Sequence, residues 1–251
     1  MAYRIDKDLE FLRELSSAQL NDLVYLLTHD KNDNIRMTEE LTGSDIYKAY
    51  YPDHHQYWQE IAGEIQCYGA NTIATLFRRG KGVLYKEILQ DVCDKLKVNY
   101  NKDAPTETIE SYLFMKILEN SLNKMSTEEL QQLSNEIGLK NTNGITPQIV
   151  LGSFQKIFQA GGFKSYQLTV IIANSIMKIL FGKGLTFVAN ASLTRIMSIL
   201  TGPIGLSITA IWTCIDIASP AYRVTIPAVI QVAYLRQALL YGSNTNEVQF
   251  N

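Results

Sequence analysis

The sequence predicts an all-α protein, a multi-helix bundle with a strongly apolar C-terminal helical block. Three observations predict it. Apolar residues recur at three- and four-residue spacing through most of the chain. Ser and Thr caps stand in front of several of those stretches. Strand-like alternation is scarce, so an α/β protein would lack the strands it needs.

The elements follow in order. Asp6–Leu15 carries Leu9, Phe11, Leu12 and Leu15, a one-faced helical pattern. Ser16 and Gln19 form a capping box, which predicts a helix to about Thr28 that buries Leu20, Leu23, Val24 and Leu27. Residues 29–45 are polar, lack a sustained period and read as a loop. Asp53, after Pro52, is placed to cap a long helix carrying Tyr57, Trp58, Ile61, Ile65, Tyr68, Ile73, Leu76 and Phe77. Gly63 and Gly69 lie inside it, each costing about 1 kcal/mol relative to Ala. They permit close approach of another helix, or Gly69 marks a kink. Arg78-Arg79-Gly80-Lys81-Gly82 is a basic break, and Val83–Val98 is the next helix. After a polar linker to Pro105, Glu107–Met125 is helical. Ser126 and Glu129 form a second capping box, with Gly138 as the stop. Thr146-Pro147 opens a helix that Gly161-Gly162 ends.

Three or four apolar helices are expected beyond that point, at about 164–181, 185–201, 203–218 and 221–241. Gly182-Lys183-Gly184, Gly202-Pro203 and Ser219-Pro220 separate them, and Pro227 should kink the last. No charge occurs between Arg195 and Asp216, about the length a bilayer-spanning helix requires. Ser198, Thr201, Ser207, Thr209 and Thr213 dilute that run. The organisation expected is a small helical element over 1–45, a helical region over 46–140 and the apolar block over 141–251.

Charge is divided along the chain. Residues 141–251 hold seven basic side chains against Asp216 and Glu247, and the remaining 16 basic and 23 acidic residues precede them. An acidic part is joined to an apolar, mildly basic one. Three scattered cysteines suggest a reducing compartment. The opening MAYRIDKDLEF has no apolar signal run. A cytoplasmic protein, with peripheral contact on the inner membrane, is the expectation.

Catalytic and metal motifs are absent. His54 and His55 are adjacent, so on a helix they diverge by about 100°. No Glu-x-x-His pair or G-x-S-x-G is present. Glu60 and Glu64 share a helix face and read as ordinary exposed carboxylates. No cofactor is expected, and the slightly acidic chain argues against nucleic acid. Arg78, Arg79 and Lys81 could form a patch for lipid headgroups or an acidic partner, or only a solvated turn. Gly205, Thr209 and Thr213 form a small-residue stripe that admits another helix closely. Asp216 follows the uncharged run and should be buried with Arg223, Arg195 or both, or else cap a helix end.

Several strings are more specific. YRIDKDLEFLREL, YGANTIATLFRRGKGVLYKEILQDVCDKLKVNYNK, GGFKSYQLTVIIANSIMKILFGKGLTF and LTRIMSILTGPIGLSITAIWTCIDIASPAYRVTIPAVIQVAYLR resemble the YaaW-like family of uncharacterised bacterial proteins. The middle of the chain, Tyr68–Asn101 included, is similar to the ubiquinol–cytochrome c chaperone domain, an all-helical module associated in mitochondria with assembly of a respiratory complex. The resemblance implies an α-helical, bacterial, intracellular protein and carries over no catalytic residue. It leaves the apolar block unexplained. That block reads as a soluble core, a membrane-embedded helical pair, or a buried hairpin released on demand. The function expected is non-enzymatic: a chaperone-like helical protein that engages an apolar partner or the membrane surface through its C-terminal helices. The alternative is a membrane-active effector whose buried hairpin inserts on a trigger, and a hydrolytic enzyme comes third.

Overall fold

The computed structural model describes residues 3–72, 82–140, 144–185, 191–215 and 221–242, with the backbone alone at 70–72, 191–192 and 211–215. The described residues are helical and contain no strand; a lone antiparallel bridge joins His29 and Ile35. The helices are α1 (Ser17–Thr28), α2 (Asp45–Tyr50), α3 (Trp58–Thr72), α4 (Tyr85–Lys95), α5 (Thr106–Leu122), α6 (Thr127–Glu136), α7 (Pro147–Ala160), α8 (Gly162–Phe181), α9 (Ala191–Ile215) and α10 (Tyr222–Tyr241). Both capping boxes form: Ser16 with Gln19 opens α1, and Ser126 with Glu129 opens α6. Thr146 caps α7 with Pro147 behind it, where a missing N–H costs nothing.

Two compact units result, and neither is one continuous stretch. Met1–Ile109 and Cys214–Arg236 form the first; Glu110–Thr213 and Gln237–Asn251 form the second.

In the first unit α3 is the hub. It packs against α1, α4 and a 3-10 turn at Glu10–Glu14. Asp53 does not cap a long helix as expected. The chain enters through a 3-10 turn, His54–Tyr57, and the Asp53 carboxylate instead accepts from the Ser17 hydroxyl. That hydroxyl in turn accepts from the His55 N–H, which fastens the entrance of α3 to the start of α1. His54 is buried, with Nδ1 at the Tyr57 hydroxyl and Nε2 3.3 Å from Asn21 Oδ1. Burial lowers its pKa, since the charged ring would lose its hydration. Both ring nitrogens are thus committed to internal contacts.

The N-terminal segment is anchored by polar groups in an apolar setting. Gln66, fully buried on α3, pairs with the Arg4 backbone: its Oε1 accepts the Arg4 N–H at 2.9 Å and its Nε2 donates to the Arg4 carbonyl at 2.8 Å. Asp6 accepts from the Tyr85 N–H at 2.7 Å. The residue before α4 is Leu84, which has no side-chain acceptor, so Asp6 caps α4 from a distance of 79 positions. The run Val224–Arg236 of α10 is buried on every face, as an all-round apolar helix must be. Tyr85 donates to the Val229 carbonyl, and Tyr222 donates to Asp91 while Lys95 lies 5.1 Å over its ring.

In the second unit α7 packs against α6 and α8, and Phe114 of α5 stacks on Phe158 of α7. The expected break at Gly202-Pro203 is absent, for α9 runs unbroken from Ala191 to Ile215 with Pro203 inside. Pro203 cannot donate to the carbonyl four residues back. Yet Ile196, Leu200, Ile204 and Ile208 continue one buried stripe straight through it. Each such side chain contributes about 1.5–3 kcal/mol by burial, enough together to hold the helix across the proline.

Candidate functional site

The second unit presents an apolar helix pair, α8 and α9. Ser165 to Met177 of α8 are buried almost without exception. Helix α8 stops at Gly182, whose φ of 71° is the left-handed conformation a side chain would resist. The chain then doubles back. The Asn174 carboxamide accepts the Leu185 N–H at 2.9 Å, while its Nδ2 meets Met197 Sδ at 3.1 Å. Gly184 lies so close to Asn174 Oδ1 that a Cβ there would collide with it.

This return sets the direction of α9. Asn174 meets Met197, Ser175 meets Thr201 at 3.4 Å, and Ile179 lies beside Gly205. Partners on both helices advance together, so α8 and α9 run parallel and do not form a hairpin. A Cβ at Gly205 would sit 3.4 Å from Ile179 Cδ1, an ordinary van der Waals distance, so the helices meet here without needing the missing side chain. Thr209 is exposed, and the Thr213 side chain is outside the described residues.

Opposite its buried stripe, α9 is open. Thr194, Ser198, Gly202, Leu206 and Thr209 face outward, and Leu206 is 62% exposed. The window Leu193–Ala210 is long and apolar enough to cross a membrane, yet only 44% of it is buried. Tyr222–Tyr241 passes the same length and composition test with 72% buried, as a core helix would. Among the described residues, the distinction marks α9 as the long apolar helix with an exposed face. Sequence reading missed Leu206, because its spacing alone places it among core residues.

The charged residues expected to matter are distributed otherwise. Arg195 is mostly exposed and lies 3.7 Å from Glu136. Arg223 is exposed at the start of α10. Asp216, the acid proposed to join them, lies outside the described residues, as do Arg78, Arg79 and Lys81.

Comparison with known proteins places this arrangement. Residues 3–37 match the model of a domain of unknown function, DUF3944, and residues 53–230 match that of the ubiquinol–cytochrome C chaperone. A UPF0174 protein of Helicobacter pylori is 51% identical over 94% of this chain and 93% of its own length. A second from that species is 43% identical over 81% of this chain and 99% of its own. The UPF0174 protein YaaW of Escherichia coli is 33% identical over 94% of this chain and 95% of its own. No solved structure matches. With its all-helical body and the chaperone match over residues 53–230, the chain belongs to the UPF0174 family, of which YaaW is a member.

Proposed function

We propose that this protein is a non-enzymatic, chaperone-like binding protein that engages an apolar partner or the membrane surface through the open face of α9. The observation that carries this reading is the half-buried state of α9: its inner stripe anchors it, and its outer face leaves Leu206 in water. The match to the ubiquinol–cytochrome C chaperone supports the chaperone-like part. The small outward residues Ser198 and Gly202 would let a partner helix lie close, with Leu206 as the anchor.

Flotation with inner-membrane vesicles tests it. The protein should float with the vesicles and be released by alkaline carbonate, as a peripheral protein is. Burying a leucine is worth about 1.5–3 kcal/mol, so Leu206→Glu should weaken association at least about tenfold. Leu206 is exposed, so the melting temperature should stay unchanged. Equal flotation of the variant would remove α9 from the binding face.

A second reading has α9 and α10 insert on a trigger, which their length permits. Protein that resists carbonate but yields to detergent would favour it. The basic residues Arg78, Arg79 and Lys81 would add contact with anionic headgroups, each worth about 1 kcal/mol near a charged surface. Their joint replacement by Gln should weaken binding to anionic vesicles at low salt and leave neutral vesicles unaffected.

A further inference from the structure

Helix α3 buries a carboxyl group that the proposed binding face does not use. Glu64 is 1% exposed. Both of its oxygens lie 3.3 Å from the Glu40 N–H, so the side chain sits under the backbone of residues 38–42. That segment is a small closed loop. Glu39 accepts from the Thr42 N–H at 2.9 Å and from the Thr42 hydroxyl, and Leu41 is fully buried. Thr38 bonds the hydroxyl of Tyr68, which donates to the Leu27 carbonyl of α1.

The charges around Glu64 have the wrong sign for an ionised acid. Glu39 and Glu40 flank it from the loop. On α3 its neighbours are Cys67 and Tyr68, both shifted upward by burial and so neutral through the physiological range. Arg36 is engaged with the Leu26 carbonyl through Nε at 3.2 Å. Among the described residues no cationic side chain pairs with Glu64.

We propose that Glu64 is a proton-operated latch: protonated, it holds the 38–42 loop against α3, and ionised, it lets the loop lift and brings Leu41 to the surface. The contact that would stabilise the ionised form is the Glu40 N–H. At 3.3 Å it exceeds the roughly 2.7–2.9 Å of a charge-assisted bond. Lifting the loop admits water to the carboxylate and separates it from Glu39 and Glu40. The pKa of Glu64 is accordingly raised to about 8, by burial first, with Glu39 and Glu40 adding. The Glu40 N–H opposes the shift.

The sign follows from linkage. A carboxyl whose closed-state pKa lies above its ordinary value binds more protons closed than open. Closure is therefore complete below the ordinary carboxylate range and is lost as pH rises toward about 8.

Hydrogen exchange on the full chain between pH 5 and pH 8.5, corrected for the intrinsic pH dependence of exchange, tests the latch. Protection of residues 38–42 should fall at least about tenfold, since each unit of pKa difference is worth a factor of ten. Protection within α3 and α5 should persist. Glu64→Gln keeps an acceptor for the Glu40 N–H without a titratable group, and its loop should stay protected throughout. The pair Glu39→Gln and Glu40→Gln lowers the closed-state pKa, so its loss of protection should be smaller than in the parent. The latch is overturned if Glu64→Gln loses protection as the parent does. Loss that spreads to α3 and α5 together overturns it equally, because it would mark global unfolding, and so does constant protection in the parent.

Discussion

Replacing Arg236 with alanine is expected to lower the unfolding free energy by about 4 kcal/mol, the sum of a charged hydrogen bond and a desolvated cation–π contact. Arg236 is 7% exposed, near the end of α10, and its Nη2 donates to the Asp8 carbonyl at 2.7 Å. Its guanidinium lies 4.4 Å over the Phe11 ring and 5.8 Å from that of Tyr85. One planar cation therefore joins α10 to the N-terminal segment and to α4. A charged hydrogen bond of this kind contributes about 1.5–3 kcal/mol. Stacking away from water adds up to about 2 kcal/mol. Arg236→Lys keeps the charge and loses the planar stack, so it should cost roughly half as much. Urea denaturation reads both values as midpoint shifts at constant slope. Because Phe11 shares the interaction, Phe11→Leu combined with Arg236→Ala should cost less than the two separately. A loss below about 1 kcal/mol for Arg236→Ala, or strict additivity with Phe11→Leu, would show that the stack does not hold the unit together.

That anchor could not be read from the chain. Asp8 and Arg236 stand 228 positions apart, and neither belongs to a motif. Local signals did better. The Ser16 and Ser126 capping boxes, Thr146-Pro147 and the glycine stops follow from chemistry within a few residues, and the helices begin and end accordingly. Local rules failed where a tertiary force opposed them. Gly202-Pro203 ought to stop a helix, but a buried stripe carries α9 through. Glu64 shares a face with Glu60 and read as a solvent-facing acid, yet its face lies under the 38–42 loop. The return of the chain along α8, which makes α8 and α9 parallel, depends on Asn174 gripping Leu185 and leaves no periodic trace. The open face of α9 is similarly invisible, because exposure depends on which helices arrive, not on the composition of the one they leave bare.

Gly69→Val should be among the most disruptive single changes in the first unit, at about 3 kcal/mol or more, beyond the middle of the usual range for overpacking. The reason is the α3–α4 contact. A Cβ built at Gly69 would collide with Cγ1 of Ile88 and come within 2.8 Å of Val83 Cγ2. Val83 and Ile88 are both fully buried, so neither can swing into solvent to make room. Interior glycine ordinarily costs a helix about 1 kcal/mol against alanine. Here the missing side chain is what allows α4 to approach, which resolves the two readings of Gly69 in favour of close helix contact. Gly69→Ala recovers that propensity while introducing the same first collision, so its net cost should be smaller, about 1–2 kcal/mol. Valine adds two more methyl groups in the same crowded space. Trimming the opposing side chain discriminates crowding from any other effect of the substitution. Ile88→Ala alone should destabilise by about 2–5 kcal/mol through the cavity it leaves. Combined with Gly69→Val, it supplies the volume that valine needs, and the double variant should be more stable than the two losses added together, by about 1 kcal/mol or more. Additive losses, or a Gly69→Val protein as stable as the parent, would mean that α3 and α4 do not meet at this glycine.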